Sequence, residues 1–257
     1  SGRRQTIMGI GQAAEHLPVL DAIPSRGPLS ALTTAALVDS WGEALHYSCE
    51  NWQGTESMAT LLADAIELAA GGFPVSQSQK HWHEFRAAEI STWPGVATHF
   101  PAEGVQRQPQ LAAVLERIAL YGHREFYEGE LAGRIVSGLK AAGSPIRLSD
   151  MRKTAAKMVE PVSMAYRGVE LLAPPPPTQG ITTLSIMGIL AHFEMGKVEP
   201  SSAEFYHLCV EAVKQAFLDR GAIADPDFVA QACGDVLSDT ALSRKAAAID
   251  RHVAKPW

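Results

Sequence analysis

Cysteines, aromatic side chains, long apolar runs and clustered positive charge are all scarce in this sequence, and each scarcity excludes something. The 257 residues hold three cysteines, Cys49, Cys209 and Cys233. They are widely spaced and odd in number, so they make neither a CxxC metal clip nor a disulfide framework. Cys209 falls on the apolar stripe of a helix described below and is expected as a buried thiol. Lys and Arg number 22 against 28 Asp and Glu, a net charge of −6. With no Lys/Arg cluster, the chain lacks the basic face that a nucleic acid or an anionic membrane surface requires. No apolar run approaches the ~18–20 residues of a membrane-spanning helix. The most apolar stretch, Ile181 to Phe193, is interrupted by Thr182, Thr183, Ser185 and Gly188. The sequence does not open on Met, so the lack of a leader at residue 1 says nothing about export. Gly-rich phosphate loops, HExxH and GxSxG patterns are missing too.

Apolar residues make up 46% of the chain, enough for one large domain or two small ones with a buried core. Residues 1–257 read as a single region without internal repeats. Periodicity predicts mostly α structure with a small β component. Thr34 to Leu45 places Leu37, Trp41 and Leu45 on one helical face. Ser57 to Ala70 carries Met58, Leu61, Leu62, Ala65, Ile66 and Ala69 at helical spacing, and Gly71-Gly72 ends it. Pro109 opens a helix with Leu111, Val114, Leu115 and Ile118 inward. Glu130 to Lys140 makes another through Leu131, Ile135 and Leu139. The period then changes to two: Val162, Met164 and Tyr166 alternate, Arg167-Gly168 turns, and Val169 and Leu171 alternate again, which is a hairpin. Four prolines, Pro174 to Pro177, end it, and Thr178 is placed to cap the apolar helix that follows. A helix over Ala203 to Asp219 has Ser201 and Glu204 as a capping box. Its stripe runs from Phe205 through Leu208, Cys209, Ala212, Val213 and Ala216 to Phe217. A last helix is expected over Asp239 to Ile249. Gln77 to Gln108 is the least regular segment and reads as loop-rich surface.

Few side chains stand out as chemistry on residue type alone. His81 and His83 flank Trp82, a spacing that can bind metal, but further ligands at matching spacing are missing and a packing or solvated role is expected. Arg3, near the chain end, is by default a solvated cation; in a pocket its fork would suit a carboxylate. Pro174 to Gln179 is by default a rigid strand-to-helix connector. The alternative is a site mouth, in which the helix N-terminus attracts an anionic group. Arg220 beside Asp219, and Asp225 with Asp227, are explained by capping and surface pairing.

Several phrases resemble the large subunit of γ-glutamyltransferases and the related cephalosporin acylases. The first is Pro24 and Gly27-Pro28-Leu29-Ser30 ahead of Asp39 and Trp41. Next come Phe126-Tyr127-Glu128-Gly129-Glu130-Leu131-Ala132 with Ile135-Val136, then Glu160-Pro161-Val162 with Tyr166-Arg167-Gly168. Pro175-Pro176-Pro177-Thr178-Gln179-Gly180 is the fourth. The last joins His207-Leu208, Glu211-Ala212, Lys214, Ala216-Phe217 and Asp219-Arg220 to Asp225-Pro226-Asp227-Phe228. Each is weak alone; in order across nearly the whole chain they are specific.

The resemblance implies part of an αββα N-terminal-nucleophile hydrolase sandwich, made from one precursor that cuts itself. This chain is the large-subunit portion, with some N-terminal strands, a helix and the small catalytic subunit outside it. The nucleophile is the new N-terminal Thr of that small subunit, so no catalytic residue is expected here. Thr33-Thr34 and Thr182-Thr183 lack the family's following residues and fall in expected helices. Ala254-Lys255-Pro256-Trp257 is similar to the linker ahead of the cut. The implied partners are the small subunit and a small γ-glutamyl or other acyl amide. The resemblance implies no metal, organic cofactor, nucleic acid or membrane partner. Arg3, Thr178 and Gln179 are the candidate substrate contacts. The start departs from the family's Arg-Glu-x-Ala-Pro motif: Ser1-Gly2-Arg3-Arg4-Gln5 is more similar to the Ser-Gly-Arg-Ala-Pro of the acylase branch, with Ala-Pro lost. Thr33-Thr34-Ala35-Ala36 also replaces the usual Pro-Gly. A broad amidase or an acylase of cephalosporin or glutaryl type is therefore the expected subclass, the alternative being a non-catalytic scaffold or fragment that acts only in binding or assembly.

Overall fold

Hydroxyls, glycines and one proline decide where the long helices begin and stop. The computed structural model describes residues 4–93, 95–229 and 233–256, the side chains at 97 and 233 excepted. Its first elements are β1 (Thr6–Met8), β2 (Ile10–Ala13), β3 (Thr33–Ala35), α1 (Leu37–Trp52), α2 (Met58–Gly71), β4 (Phe73–Pro74), α3 (Gln77–Phe85), α4 (Ala87–Ile90), α5 (Val96–His99) and β5 (Val105–Gln106). There follow α6 (Pro109–Tyr121), α7 (Glu125–Glu128), α8 (Glu130–Ala141), α9 (Leu148–Lys153), β6 (Lys157–Val159), β7 (Val162–Tyr166) and β8 (Val169–Ala173). The last are α10 (Gly180–Ala191), α11 (Ala203–Phe217), α12 (Cys233–Val236) and α13 (Asp239–Ala247). Serine hydroxyls cap α2, α3, α11 and α13: Ser57, Ser76, Ser202 and Ser238 each accept from an amide in the first turn, which has no partner within the helix. Gly72 and Gly122, both at positive φ, close α2 and α6. Pro109 opens α6, where its missing N–H is not needed. The described sheets are two-stranded, so the chain is mostly helical with a small β component.

The chain divides into two compact units, Gly9–Lys157 and Ser1–Met8 together with Met158–Trp257. In Gly9–Lys157, α2 lies against α6, and Leu62, Leu115, Ile118, Tyr127, Leu131 and Met151 form the core. The buried stripes are narrower than periodicity alone suggests. Leu61 and Leu111 are exposed, as are Leu68 and Leu120 on the same two helices. The first long helix also departs from expectation. Thr33–Ala35 is a strand paired antiparallel with Ile10–Ala13, and α1 starts only at Leu37 and runs on to Trp52. Leu37 is exposed, and the buried face is Val38, Asp39 and Gly42. Tertiary pairing of two β-branched threonines overrides helical spacing here. Gln77–Gln108 is short-element surface, with α3, α4, α5 and the small β4–β5 pair.

In the second unit the hairpin forms as expected. Val162 faces Ala173 and Tyr166 faces Val169. Arg167 and Gly168 sit at φ 47° and 84°, the two positive values that a tight hairpin turn needs. The apolar helix α10 is buried through Ile181, Leu184, Ile189 and Leu190 and packs against α11 and α13. Leu208, Ala212, Ala216, Leu242, Ala246 and Ile249 complete this core. At Gly188 a Cβ would meet the Leu242 side chain at 2.6 Å, so any larger residue there would make Leu242 on α13 shift. Ser202, not Ser201, caps α11; Ser201 takes φ 64° just outside the helix, and the expected capping box does not form. Glu204 pairs instead with Arg251. α11 stops at Phe217 and α13 at Ala247, two residues short of the ends expected from their stripes. Cys209 is half-buried against the core, Cys49 is exposed, and the Cys233 side chain lies outside the described residues. No described helix is long and apolar enough to cross a membrane.

Candidate functional site

Two of the sequence candidates, Thr178 and Gln179, lie on the turn between β8 and α10. Pro174 to Pro177 remove four amide donors, so the chain must leave the hairpin here. Thr178 closes the turn: its Oγ1 donates to the Pro174 carbonyl at 2.8 Å and accepts from Gly180 N at 3.1 Å. The helix cap position is Gln179, one residue later than expected, and Gln179 makes no side-chain cap bond. Its Oε1 instead accepts from Thr182 Oγ1 at 2.9 Å, which orients the carboxamide along the first turn of α10. Gly180 is enforced by proximity, because a Cβ would lie 2.3 Å from the Pro174 oxygen and 2.9 Å from Ala173 Cβ. Thr178 is half-buried and Gln179 exposed. Together they present one hydroxyl and one carboxamide on a rigid turn. Arg3 lies outside the described residues. Arg4 pairs with Glu170 on β8, in the same unit as the turn.

Neither threonine pair fits an N-terminal nucleophile. Thr182 and Thr183 are inside α10. Thr34 lies in β3, not in a helix, and its buried hydroxyl accepts from Thr154 Oγ1 at 2.8 Å. His81 stacks on Phe85 and meets Trp82 edge-on. Among the described residues no group of three or more His, Cys, Asp or Glu is placed to hold a metal ion.

Periodicity does not reveal the buried carboxylates, Asp39, Asp150 and Glu211. Asp39, on the inner face of α1, accepts from Arg124 Nη1 and from Ala156 N, both at 2.7 Å. Arg124 also donates to the Thr154 carbonyl at 2.8 Å and to Glu128. Burial opposes the Arg124 charge, but the hydrogen bonds to Asp39 and Glu128 outweigh it and raise its pKa. Tyr127 Oη donates to the Ala35 carbonyl at 2.8 Å and accepts from Asp39 N at 3.1 Å; burial pushes its phenol up. This network joins β3, α1, α7 and the chain after α9, and it is scaffold. In the other unit, Glu211 on α11 is almost fully buried and bonded to Lys214 at 2.7 Å, which holds its carboxyl below the ordinary range.

A separate cleft of about 740 Å³ in the Gly9–Lys157 unit is lined by His16, Leu29, Lys140, Ser144, Ile146 and Arg147 among others. It contains neither Thr178 nor Gln179.

Comparison with known proteins gives the family. The gamma-glutamyltranspeptidase family matches residues 13–257. An oxamate amidohydrolase proenzyme of Klebsiella pneumoniae is 38% identical over 95% of this chain and 49% of its own length. A glutathione hydrolase-like proenzyme of Bacillus subtilis is 38% identical over 80% of this chain and 40% of its own length. The crystal structure of a cephalosporin acylase from Bacillus halodurans superposes with a TM-score of 0.85 at 25% identity, covering 97% of this chain and 49% of that one. The chain thus spans about half, or less, of the length of these relatives.

Proposed function

The chain belongs to the gamma-glutamyltranspeptidase family, and from that premise we propose that it is the large-subunit portion of a self-processing amide hydrolase. The match to an amidohydrolase proenzyme along 95% of the chain carries this reading. A small subunit would complete the αββα sandwich and bring the nucleophile, an N-terminal Thr. At a pKa near ~8 its neutral amine takes the hydroxyl proton. The oxygen bonds the acyl carbon, and the substrate amine leaves with that proton. Water then splits the ester, releasing the acid and restoring the Thr hydroxyl.

In this arrangement the present chain supplies walls. Thr178 and Gln179 line the mouth with a hydroxyl and a carboxamide, and Arg3 is the cation for an anionic acyl group. The substrate class is an amide of a small acid that keeps a free carboxylate, with acylase-type breadth. Leu61, Leu68, Leu111 and Leu120, exposed on α2 and α6, fit a chain that is covered by another.

The test is expression of a precursor that extends beyond this chain, followed by intact mass and N-terminal sequencing. A second chain beginning with Thr, and hydrolysis of oxamate, glutaryl amides or γ-glutamyl amides by the pair only, is the expected result. Turnover by the present chain alone, or an uncut active precursor, would refute the proposal.

A further inference from the structure

The cleft of the Gly9–Lys157 unit carries positive charge in an acidic chain. Its walls are the last turns of α8, the connection from α8 to α9, the segment after β2, and Leu29. Leu17, Leu29, Val136 and Ile146 give it an apolar lining, and Lys140 and Arg147 line it as exposed cations. Asp and Glu outnumber Lys and Arg by 28 to 22 in the chain, yet no Asp or Glu lines the cleft. The carboxylates beside it are already taken. Glu15 pairs with Lys153 at 2.8 Å. Asp150 accepts from Glu15 N at 3.0 Å and from Arg147 N at 2.8 Å, so it spends both oxygens on backbone and ties two walls together. The side chains of Lys140 and Arg147 have no acceptor among the described residues. Ser144 is a second, independent sign. It lines the cleft, is only 9% exposed, and its Oγ accepts from Ile146 N at 3.3 Å. Its hydroxyl proton has no acceptor among the described residues, and a buried hydroxyl is expected to use its donor.

At about 740 Å³ the cleft has the size of sites for small organic molecules, about 300–1,000 Å³. We infer that it binds a small carboxylate with an apolar body, such as an aromatic acid. The carboxylate accepts from the Arg147 fork, from Lys140 Nζ and from the Ser144 hydroxyl, the three donors that lack an acceptor. Leu17, Val136 and Ile146 take the body, whose removal from water adds to the affinity. Both halves of the ligand are needed. Inorganic phosphate would meet the cations and leave the apolar lining wet. An uncharged analogue would fill the lining and leave the cations unpaired. The inference does not depend on self-processing.

The experiment is photo-crosslinking of the purified full-length protein with a trifluoromethyl-diazirinyl benzoate, followed by mass mapping of the labelled peptides. The label is expected within residues 16–18 and 136–147. Benzoate should compete for it, while benzamide and inorganic phosphate at the same concentration should not. Lys140→Gln combined with Arg147→Gln should cut this labelling about tenfold or more, the usual loss for charge-assisted hydrogen bonds. Both residues are exposed, so the double variant should melt as wild type does. Ser144→Ala should cut the labelling about three- to tenfold. Arg134→Gln removes an exposed cation of α8 that does not line the cleft, and it should leave the labelling unchanged. No label in these two segments, or undiminished label in the double variant, would overturn the site. Equal competition by benzamide would make the cleft a plain apolar pocket, and equal competition by phosphate a plain basic surface; either result overturns carboxylate recognition.

Discussion

Asp39 and Arg124 stand 85 positions apart in the chain and meet at 2.7 Å, with the Asp39 carboxylate almost wholly buried. The same carboxylate takes the Ala156 amide, so one acidic group ties α1 to α7 and to the chain after α9. Asp39→Ala would leave a guanidinium and an amide without their acceptor. Loss of one partner from a buried pair costs about 3–5 kcal/mol, and a fall of that size in urea-unfolding stability is expected. An unchanged midpoint and slope would show that the network is decorative.

Two glycines should respond in opposite directions. Gly180→Ala places a Cβ against the Pro174 carbonyl and Ala173 and is expected to destabilise by about 1–3 kcal/mol. Gly133 lies exposed within α8 with nothing within 4 Å of a built Cβ. Gly133→Ala should stabilise by about 0.5–1 kcal/mol. Thermal melting of the two single variants decides the matter.

Acid should weaken the fold through carboxylates held by cations. The hydrogen bond from Arg117 depresses Glu125, and that from Lys214 depresses Glu211, below the ordinary 4.5. A folded-state pKa below the unfolded one gives stability that is complete above pH 4.5 and is lost as pH falls through the lowered values. Arg117→Met should therefore flatten the acid limb of a stability-against-pH curve. An acid limb as steep as wild type would assign the loss to other groups.

The β8–α10 turn makes a kinetic prediction for the assembled, processed enzyme. Gln179→Ala removes an exposed carboxamide oriented by Thr182. If it touches substrate in the ground and transition states alike, KM should rise about tenfold with kcat unchanged, the loss of one good hydrogen bond. No change in either constant would reduce the turn to a connector.

The hairpin was legible because its cause is local. Alternation over Val162 to Leu171 and the Arg167-Gly168 turn contain all the geometry that the pairing needs. The apolar helix after the prolines and the stripe of α11 were legible for the same reason. Thr33–Ala35 was not, since its partner strand lies some twenty residues earlier and helical spacing nearby suggested otherwise. Ser201 and Ser202 are chemically alike, and only the backbone, with φ 64° at Ser201, decides which of them caps. At the candidate site, Thr178 and Gln179 were found through the proline turn and the family phrases, but the bond from Gln179 to Thr182 needed coordinates.

The sequence by itself determined the helix-rich class, the hairpin, the glycine end of α2, the proline start of α6 and the family, because periodicity, turn chemistry and ordered phrases act over short stretches. Tertiary structure alone decided which charges go inside. Asp39 and Glu211 read as ordinary polar positions on amphipathic helices. Each is buried because donors from distant segments, at Arg124 and Ala156 for one and at Lys255 for the other, replace the water it gives up.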